Sequence, residues 1–84
     1  MPNDDAALAL SALGWILSDG PRAERFLALT GLTPDALREG LGRPETLVAI
    51  VDFLCAHEPD LLAAAEHLDI APQRLVAVRE GLDR

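Results

Sequence analysis

Regularly placed prolines constrain the fold of this chain more than any other feature of its sequence. Five of its six prolines each precede a stretch of apolar residues with helical periodicity: Pro21, Pro34, Pro44, Pro59 and Pro72. Proline fits the first turn of a helix, where the N–H groups have no helical partner, but it breaks a helix interior. The spacing therefore predicts six short helices, over residues 4–18, 21–30, 34–41, 44–57, 59–68 and 72–82. We expect Gly20 and Thr33 to be the N-caps of the second and third helices, and Gly31 to end the second with a left-handed backbone.

Composition also favours an all-α fold. Half of the 84 residues are hydrophobic, mostly Leu and Ala, which are strong helix formers. Strand-forming residues concentrate only in Val48–Phe53, where the preceding Pro44 and the length of the segment favour a helix. Because a chain of this length can bury one core, we expect a single helical domain over residues 1–84. Its predicted architecture is a compact bundle of five or six short helices around a central apolar helix, the fourth.

The charge of the chain disfavours several classes of partner. Its net charge of −7 repels phosphate backbones and anionic membrane surfaces. The absence of lysine excludes Schiff-base chemistry and the phosphate-binding lysine of a P-loop. Cys55 is the only cysteine, which fits a reducing compartment. The apolar stretch Ala6–Leu17 is too short to span a bilayer and lacks the basic flank of a signal peptide, so we expect a cytoplasmic protein.

Residues with potential metal-binding or catalytic chemistry do not form a recognisable site in the sequence. Cys55 and His57 point about 200° apart on one helix and cannot share an ion. We expect Cys55 to pack as a small hydrophobic residue and the histidines to lie near helix C-termini. The possible nucleophiles lie in no known catalytic motif: Ser11, Ser18, Thr30 and Cys55. We therefore expect a non-catalytic protein with no metal site and no cofactor.

One segment has the pattern of a DNA-binding motif. Within residues 62–82, a small residue, a turn, an aliphatic residue and a buried aliphatic residue follow the spacing of a helix-turn-helix. Its second helix would present Gln73, Arg74 and Arg79 to DNA. Asp69 stands where glycine is favoured, and acidic residues surround the arginines. A degenerate helix-turn-helix DNA-binding protein is therefore the alternative hypothesis rather than the first one.

The first helix suggests a surface for protein binding. Its apolar face is expected to be centred on Ala6, Leu10, Leu13 and Leu17, with Ala9 and Ile16 beside them. Leu8 and Trp15, one heptad apart, lie at the edge of its polar strip, beyond that face. Tryptophan is strongly enriched in binding hot spots, although in so apolar a chain Trp15 could also close one end of the core. We therefore expect a protein-interaction or regulatory module that binds a protein partner or a second copy, with Leu8 and Trp15 as candidate surface residues.

Three segments of the chain carry its most distinctive residues: Leu8–Trp15, Arg25–Pro34 (RFLALTGLTP) and Val51–Leu54, of which the second is the most specific. In these segments the chain resembles a bacterial family of short proteins catalogued as domain of unknown function 3572. The resemblance extends over nearly the whole chain. It implies a small helical protein with no assigned activity, and therefore no catalytic or binding residue to transfer.

The interpretation of Trp15 as a surface residue predicts the effect of Trp15→Ala. This substitution should weaken association with a partner while leaving helicity nearly intact. Pull-down of tagged protein with mass spectrometry, with and without nuclease, combined with circular dichroism, measures both effects. Loss of folding would instead place Trp15 in the core, and partners that disappear with nuclease would favour DNA binding.

Overall fold

The computed structural model describes residues 4–82, which form six helices. They are α1 (Asp4–Leu17), α2 (Gly20–Thr30), α3 (Pro34–Glu39), α4 (Pro44–Cys55), α5 (Glu58–Leu68) and α6 (Pro72–Leu82). Each predicted helix is present, and proline lies within the first two positions of α2, α3, α4 and α5 and begins α6. The all-α prediction is confirmed over this part of the chain.

Side-chain and backbone caps set the helix ends. The Thr33 hydroxyl accepts a hydrogen bond from the Ala36 N–H (3.0 Å), as expected for an N-cap. The N-cap of α2 is Asp19 rather than the expected Gly20, because the carboxylate can accept the Arg22 N–H (3.0 Å). Gly31 ends α2 with a left-handed backbone (φ 74°), as predicted.

The turn between α4 and α5 differs from the prediction. α4 ends at Cys55, two residues before its predicted end, because His57 has an extended backbone (φ −139°, ψ 97°). His57 is thereby the N-cap residue of α5, not the end of α4.

Three helices form the centre of the structure. α1, α4 and α6 each contact the other two, α5 contacts all three, and α2 packs against α1 and α4. The buried residues of α4 are Leu47, Ile50, Val51, Phe53 and Leu54. The predicted central position of α4 is therefore correct, but α4 shares it with α1 and α6.

The buried face of α1 is rotated from the expected one. Its fully or nearly fully buried residues are Ala9, Ala12, Leu13 and Ile16. Leu10 and Leu17, expected in the core, are 40% and 43% exposed. Ala9 and Ala12 let α1 lie close to its neighbours, so the core face runs through these alanines, Leu13 and Ile16, and Leu10 and Leu17 lie at its margin.

Two glycine positions give opposite predictions for stability. Gly40 is buried between α3 and α4, and a Cβ there would meet the Thr46 hydroxyl and lie 3.2 Å from the Ala36 carbonyl oxygen. Gly40→Ala should therefore lower the free energy of unfolding by about 1–3 kcal/mol. Gly14→Ala, exposed within α1 with nothing within 4 Å of its Cβ, should raise it by about 0.5–1 kcal/mol.

Urea denaturation followed by circular dichroism and Trp15 fluorescence measures these changes. Thr46→Ala removes one of the two clashing groups and should recover part of the stability lost in Gly40→Ala. Equal stability of wild type and Gly40→Ala would contradict the packing described at this turn.

Candidate interaction groove

An open apolar groove of about 540 Å³ lies between α2 and α4. α2 contributes one wall, and α4 with the turn after it contributes the other. The residues that line the groove are Arg25, Leu29, Thr30, Ala49, Phe53, Ala56 and His57. The volume is within the range of small-molecule and cofactor clefts, which are mostly apolar with a few polar groups at defined places.

Phe53 forms a fixed floor for this groove. Its ring lies edge-to-face against Phe26, with the ring centroids 5.2 Å apart and an interplanar angle of 89°. Phe26 is fully buried and Phe53 is 6% exposed. The Arg25 guanidinium lies 5.2 Å from the centroid of the Phe53 ring, a favourable cation–π position. These contacts hold the ring in one orientation.

Leu29 is the most exposed of the large hydrophobic residues in the described chain. Its side chain is 72% exposed on the wall of the groove, three positions after the fully buried Phe26. The next residue, Thr30, donates its hydroxyl hydrogen to the Phe26 carbonyl oxygen (2.8 Å). This hydrogen bond stabilises the last turn of α2. Leu29 is therefore an apolar side chain presented to solvent from an ordered helix.

Charged residues border one end of the groove. The Asp60 carboxylate pairs with the Arg25 guanidinium and, at 3.0 Å, with His57 Nδ1. Asp60 is 13% exposed, whereas the side chains of Arg25 and His57 are 43% and 53% exposed. The two basic groups therefore lie outermost at this end, on a chain whose net charge is −7.

Leu8 and Trp15 are half-buried and pack against the core. The Arg22 guanidinium carbon lies 3.6 Å from the centroid of the Trp15 ring, and Arg22 also donates to the Trp15 carbonyl oxygen and to the Ser18 hydroxyl. One face of the Trp15 ring is thus covered from within the chain. Phe26 and Phe53 pair with each other beneath the groove.

The arginines predicted to face DNA form ion pairs within the protein. Arg74 contacts the Asp5 carboxylate of α1 (3.0 Å), and Arg79 contacts the Asp52 carboxylate of α4 (2.7 Å). Gln73 is exposed. Between α5 and α6, Asp69 has a left-handed backbone (φ 58°), and the Ile70 N–H bonds the Ala65 carbonyl oxygen (3.0 Å). This is the geometry that a helix-closing glycine normally provides.

Cys55 does not pack in the core as expected. It is exposed at the last position of α4. Partial desolvation and the Asp52 carboxylate raise the pKa of its thiol, against the opposing effect of Arg79. No group of three or more possible metal ligands occurs within residues 4–82. Cys55 is therefore a protonated thiol at neutral pH rather than an activated nucleophile.

Sequence reasoning missed Leu29 as a candidate site residue. Leu29 lies four positions after Arg25, so the two share one edge of α2, beside the face that buries Phe26. An aliphatic residue on the same edge as an arginine was the available signal. Hydrophobic periodicity could not show that this edge of α2 is a better candidate surface than the edge of α1 with Leu8 and Trp15. The exposure of each edge depends on which helices pack beside it.

Comparison with known proteins identifies a family but no functional counterpart. A family model described as "Protein of unknown function (DUF3572)" matches residues 3–84. Neither the curated proteins nor the solved structures contain a match to this chain. None of the helices in residues 4–82 has the length and apolar character needed to cross a membrane.

The surroundings of Cys55 predict the pH dependence of its alkylation. Because its pKa is raised, the midpoint of the pH profile for its reaction with iodoacetamide should lie above pH 9.0, the ordinary pKa of the thiol. Asp52→Asn removes a negative charge that disfavours the thiolate and keeps the positive charge of Arg79, which favours it. This variant should therefore react with a midpoint at lower pH, with a short cysteine peptide as reference. An unchanged or higher midpoint would contradict the assigned role of Asp52.

Proposed function

This chain belongs to the DUF3572 family of proteins of unknown function, and we propose that it is a non-catalytic cytoplasmic module that binds a partner protein. The observation that carries the proposal is the exposed Leu29 side chain beside a groove with Phe53 as its floor. An apolar cleft with an exposed aliphatic wall and a charged rim is typical of protein-interaction sites.

Burial of the groove would supply binding free energy. Covering a leucine that is exposed in the free protein contributes about 1.5–3 kcal/mol. The Phe53 side chain is held by the core and the backbone at Leu29 by the last turn of α2, so little backbone entropy is lost when a partner binds. The groove is thus already in a shape that can bind, which favours a partner that inserts side chains into it.

The positions of the possible nucleophiles support a non-catalytic role. The Ser18 hydroxyl donates to the Trp15 carbonyl oxygen (2.7 Å), and the Thr30 hydroxyl donates to the Phe26 carbonyl oxygen (2.8 Å). The pKa of Cys55 is raised, so its thiolate is a minor species at neutral pH. These groups contribute to helix ends rather than to a nucleophile and base pair.

Binding of DNA through residues 62–82 has weaker support. Arg74 and Arg79 are bound to carboxylates of α1 and α4, so contact with phosphate would compete with these ion pairs. α6 also buries Leu75, Val78 and Leu82 in the core, as its contacts with α1, α4 and α5 require. Protein binding by the groove requires no such rearrangement.

The test compares two exposed leucines. Leu29→Asp should weaken binding of the partner by about tenfold or more, because it places a charge in the apolar contact. Leu62→Asp is the matched control, since Leu62 is 48% exposed on α5 and does not line the groove. Both variants should keep the wild-type helicity and unfolding midpoint.

The partner is first obtained by photo-crosslinking in cells from a benzoylphenylalanine at position 29, with position 62 as the control. Binding of the purified partner to each variant is then measured by isothermal titration calorimetry. The proposal fails when the two leucine variants bind equally, or when position 29 gives no protein adduct. It also fails if position 29 yields only nucleic-acid adducts.

A further inference from the structure

We infer that α3 is a lid that opens while the other five helices of the described chain stay folded, and that its opening uncovers an aliphatic surface on α1 and α2. The lid consists of residues 32–39, which are α3 and the two residues before it. The surface beneath it shares no lining residue with the groove between α2 and α4. The inference therefore does not rest on the proposed function.

α3 is held less firmly than its neighbours. It has six residues, whereas the other helices have between 11 and 14, and a helix this short is not stable by itself. Within residues 4–82, the helices that pack extensively in pairs are α1, α2, α4, α5 and α6, and α3 is in none of these pairs. Leu37 is its one buried residue. α3 therefore depends on one buried side chain and on its caps.

The ion pair of α3 lies within the helix. Arg38 Nη1 is 3.0 Å from the Asp35 carboxylate, and both side chains are largely exposed. Other ion pairs join separate helices: they link α2 to α5, and α6 to α1 and α4. Opening of α3 leaves these links intact, so the rest of the bundle keeps its charge contacts while the lid is open.

The space beneath α3 is not filled. A groove of about 310 Å³ lies between α3 and the helices α1 and α2. Leu13, Leu17 and Leu27 line its α1 and α2 side, and Leu37 lines it from α3. Because side chains beside an unfilled space lose part of their van der Waals contacts, α3 covers this aliphatic surface without packing tightly on it.

A glycine flanks the lid on each side. Gly31 ends α2 with its left-handed backbone, and Gly40 ends α3. Gly40 is buried and packs closely against Thr46 of α4. The two glycines therefore hold the ends of the lid on α2 and α4, and residues 32–39 can leave the core without displacing either helix.

Opening of the lid disrupts only a small part of the structure. It breaks a single short helix, including the bonds from the Leu37 N–H to the Thr33 carbonyl oxygen (2.9 Å) and from the Gly40 N–H to the Ala36 carbonyl oxygen (3.0 Å). It removes Leu37 from the core, whereas global unfolding exposes the whole core. The open state is therefore far more populated than the unfolded state.

Native-state hydrogen exchange of the full chain at low guanidinium concentrations tests the opening. After correction for intrinsic rates, the amides of Leu37 and Gly40 should exchange about a hundredfold faster than those of Leu54 and Val78. Their rates should hardly depend on guanidinium, because opening exposes little surface. Equal protection and equal guanidinium dependence for the amides of α3 and α4 would overturn the inference.

Thiol labelling tests whether the surface beneath α3 is uncovered. Leu27→Cys in a Cys55→Ser background places the only thiol of the chain under the lid. Leu61→Cys in the same background is the matched control, because Leu61 is a half-buried leucine of α5 that lines neither groove. Thr33→Ala removes the N-cap of α3, so it should accelerate labelling at position 27 about fivefold and leave labelling at position 61 unchanged.

Two results of the labelling experiment would overturn the inference. An unchanged rate at position 27 in Thr33→Ala would mean that α3 does not control access to the surface. An equal acceleration at positions 27 and 61 would mean that α3 and the other helices loosen together. Circular dichroism of each variant should show the helicity of the wild type, since Thr33 is exposed and both leucines are only half-buried.

Discussion

The mutual packing of α1, α4 and α6 is the interaction on which the rest of the structure depends. These helices come from the beginning, middle and end of the chain, and each contacts the other two. Their fully buried side chains include Ile16, Ile50, Leu54, Leu75 and Val78. Since α1 and α6 are far apart in sequence, the core forms only when both ends of the described chain come together. α2 and α5 then pack on the faces that these three helices leave uncovered.

The groove is a consequence of how α2 packs on that centre. α2 buries Phe26 against Phe53 and thereby fixes the distance between the two helices. On one side of this aromatic pair α4 has only alanines beside Phe53, and α2 has Arg25 and Leu29. Too few large side chains are present there to fill the space between the helices. The same contact that stabilises α2 therefore leaves an apolar cleft open to solvent.

Ion pairs with carboxylates of other helices occupy several of the few arginines in this acidic chain. Arg74 and Arg79 join α6 to α1 and α4, and Arg25 joins α2 to α5 through Asp60. Partly exposed pairs of this kind contribute little free energy each, but they determine which charges remain available to a partner. They occupy the arginines that a DNA-binding α6 would need, and they hold Arg25 at the edge of the groove.

The sequence alone determined the number, order and approximate bounds of the helices. Proline placement, the Thr33 cap and the Gly31 C-cap are local signals, because each depends on the backbone of a few neighbouring residues. Asp19 was missed as a cap, and the end of α4 was placed two residues too late, since the extended His57 serves the turn into α5. Local chemistry was therefore sufficient for the elements and for most of their ends.

Only the tertiary structure decided which faces of these helices are buried. The periodicity of α1 allowed a core centred on Leu10 and Leu17, but close packing places Ala9 and Ala12 inside and half-buries Trp15 beneath Arg22. Leu29 and Phe53 come from separate helices and form one cleft only because α2 lies against α4. The exposure of a side chain depends on which helices pack beside it. The residue pattern within one helix does not specify where the next helix lies.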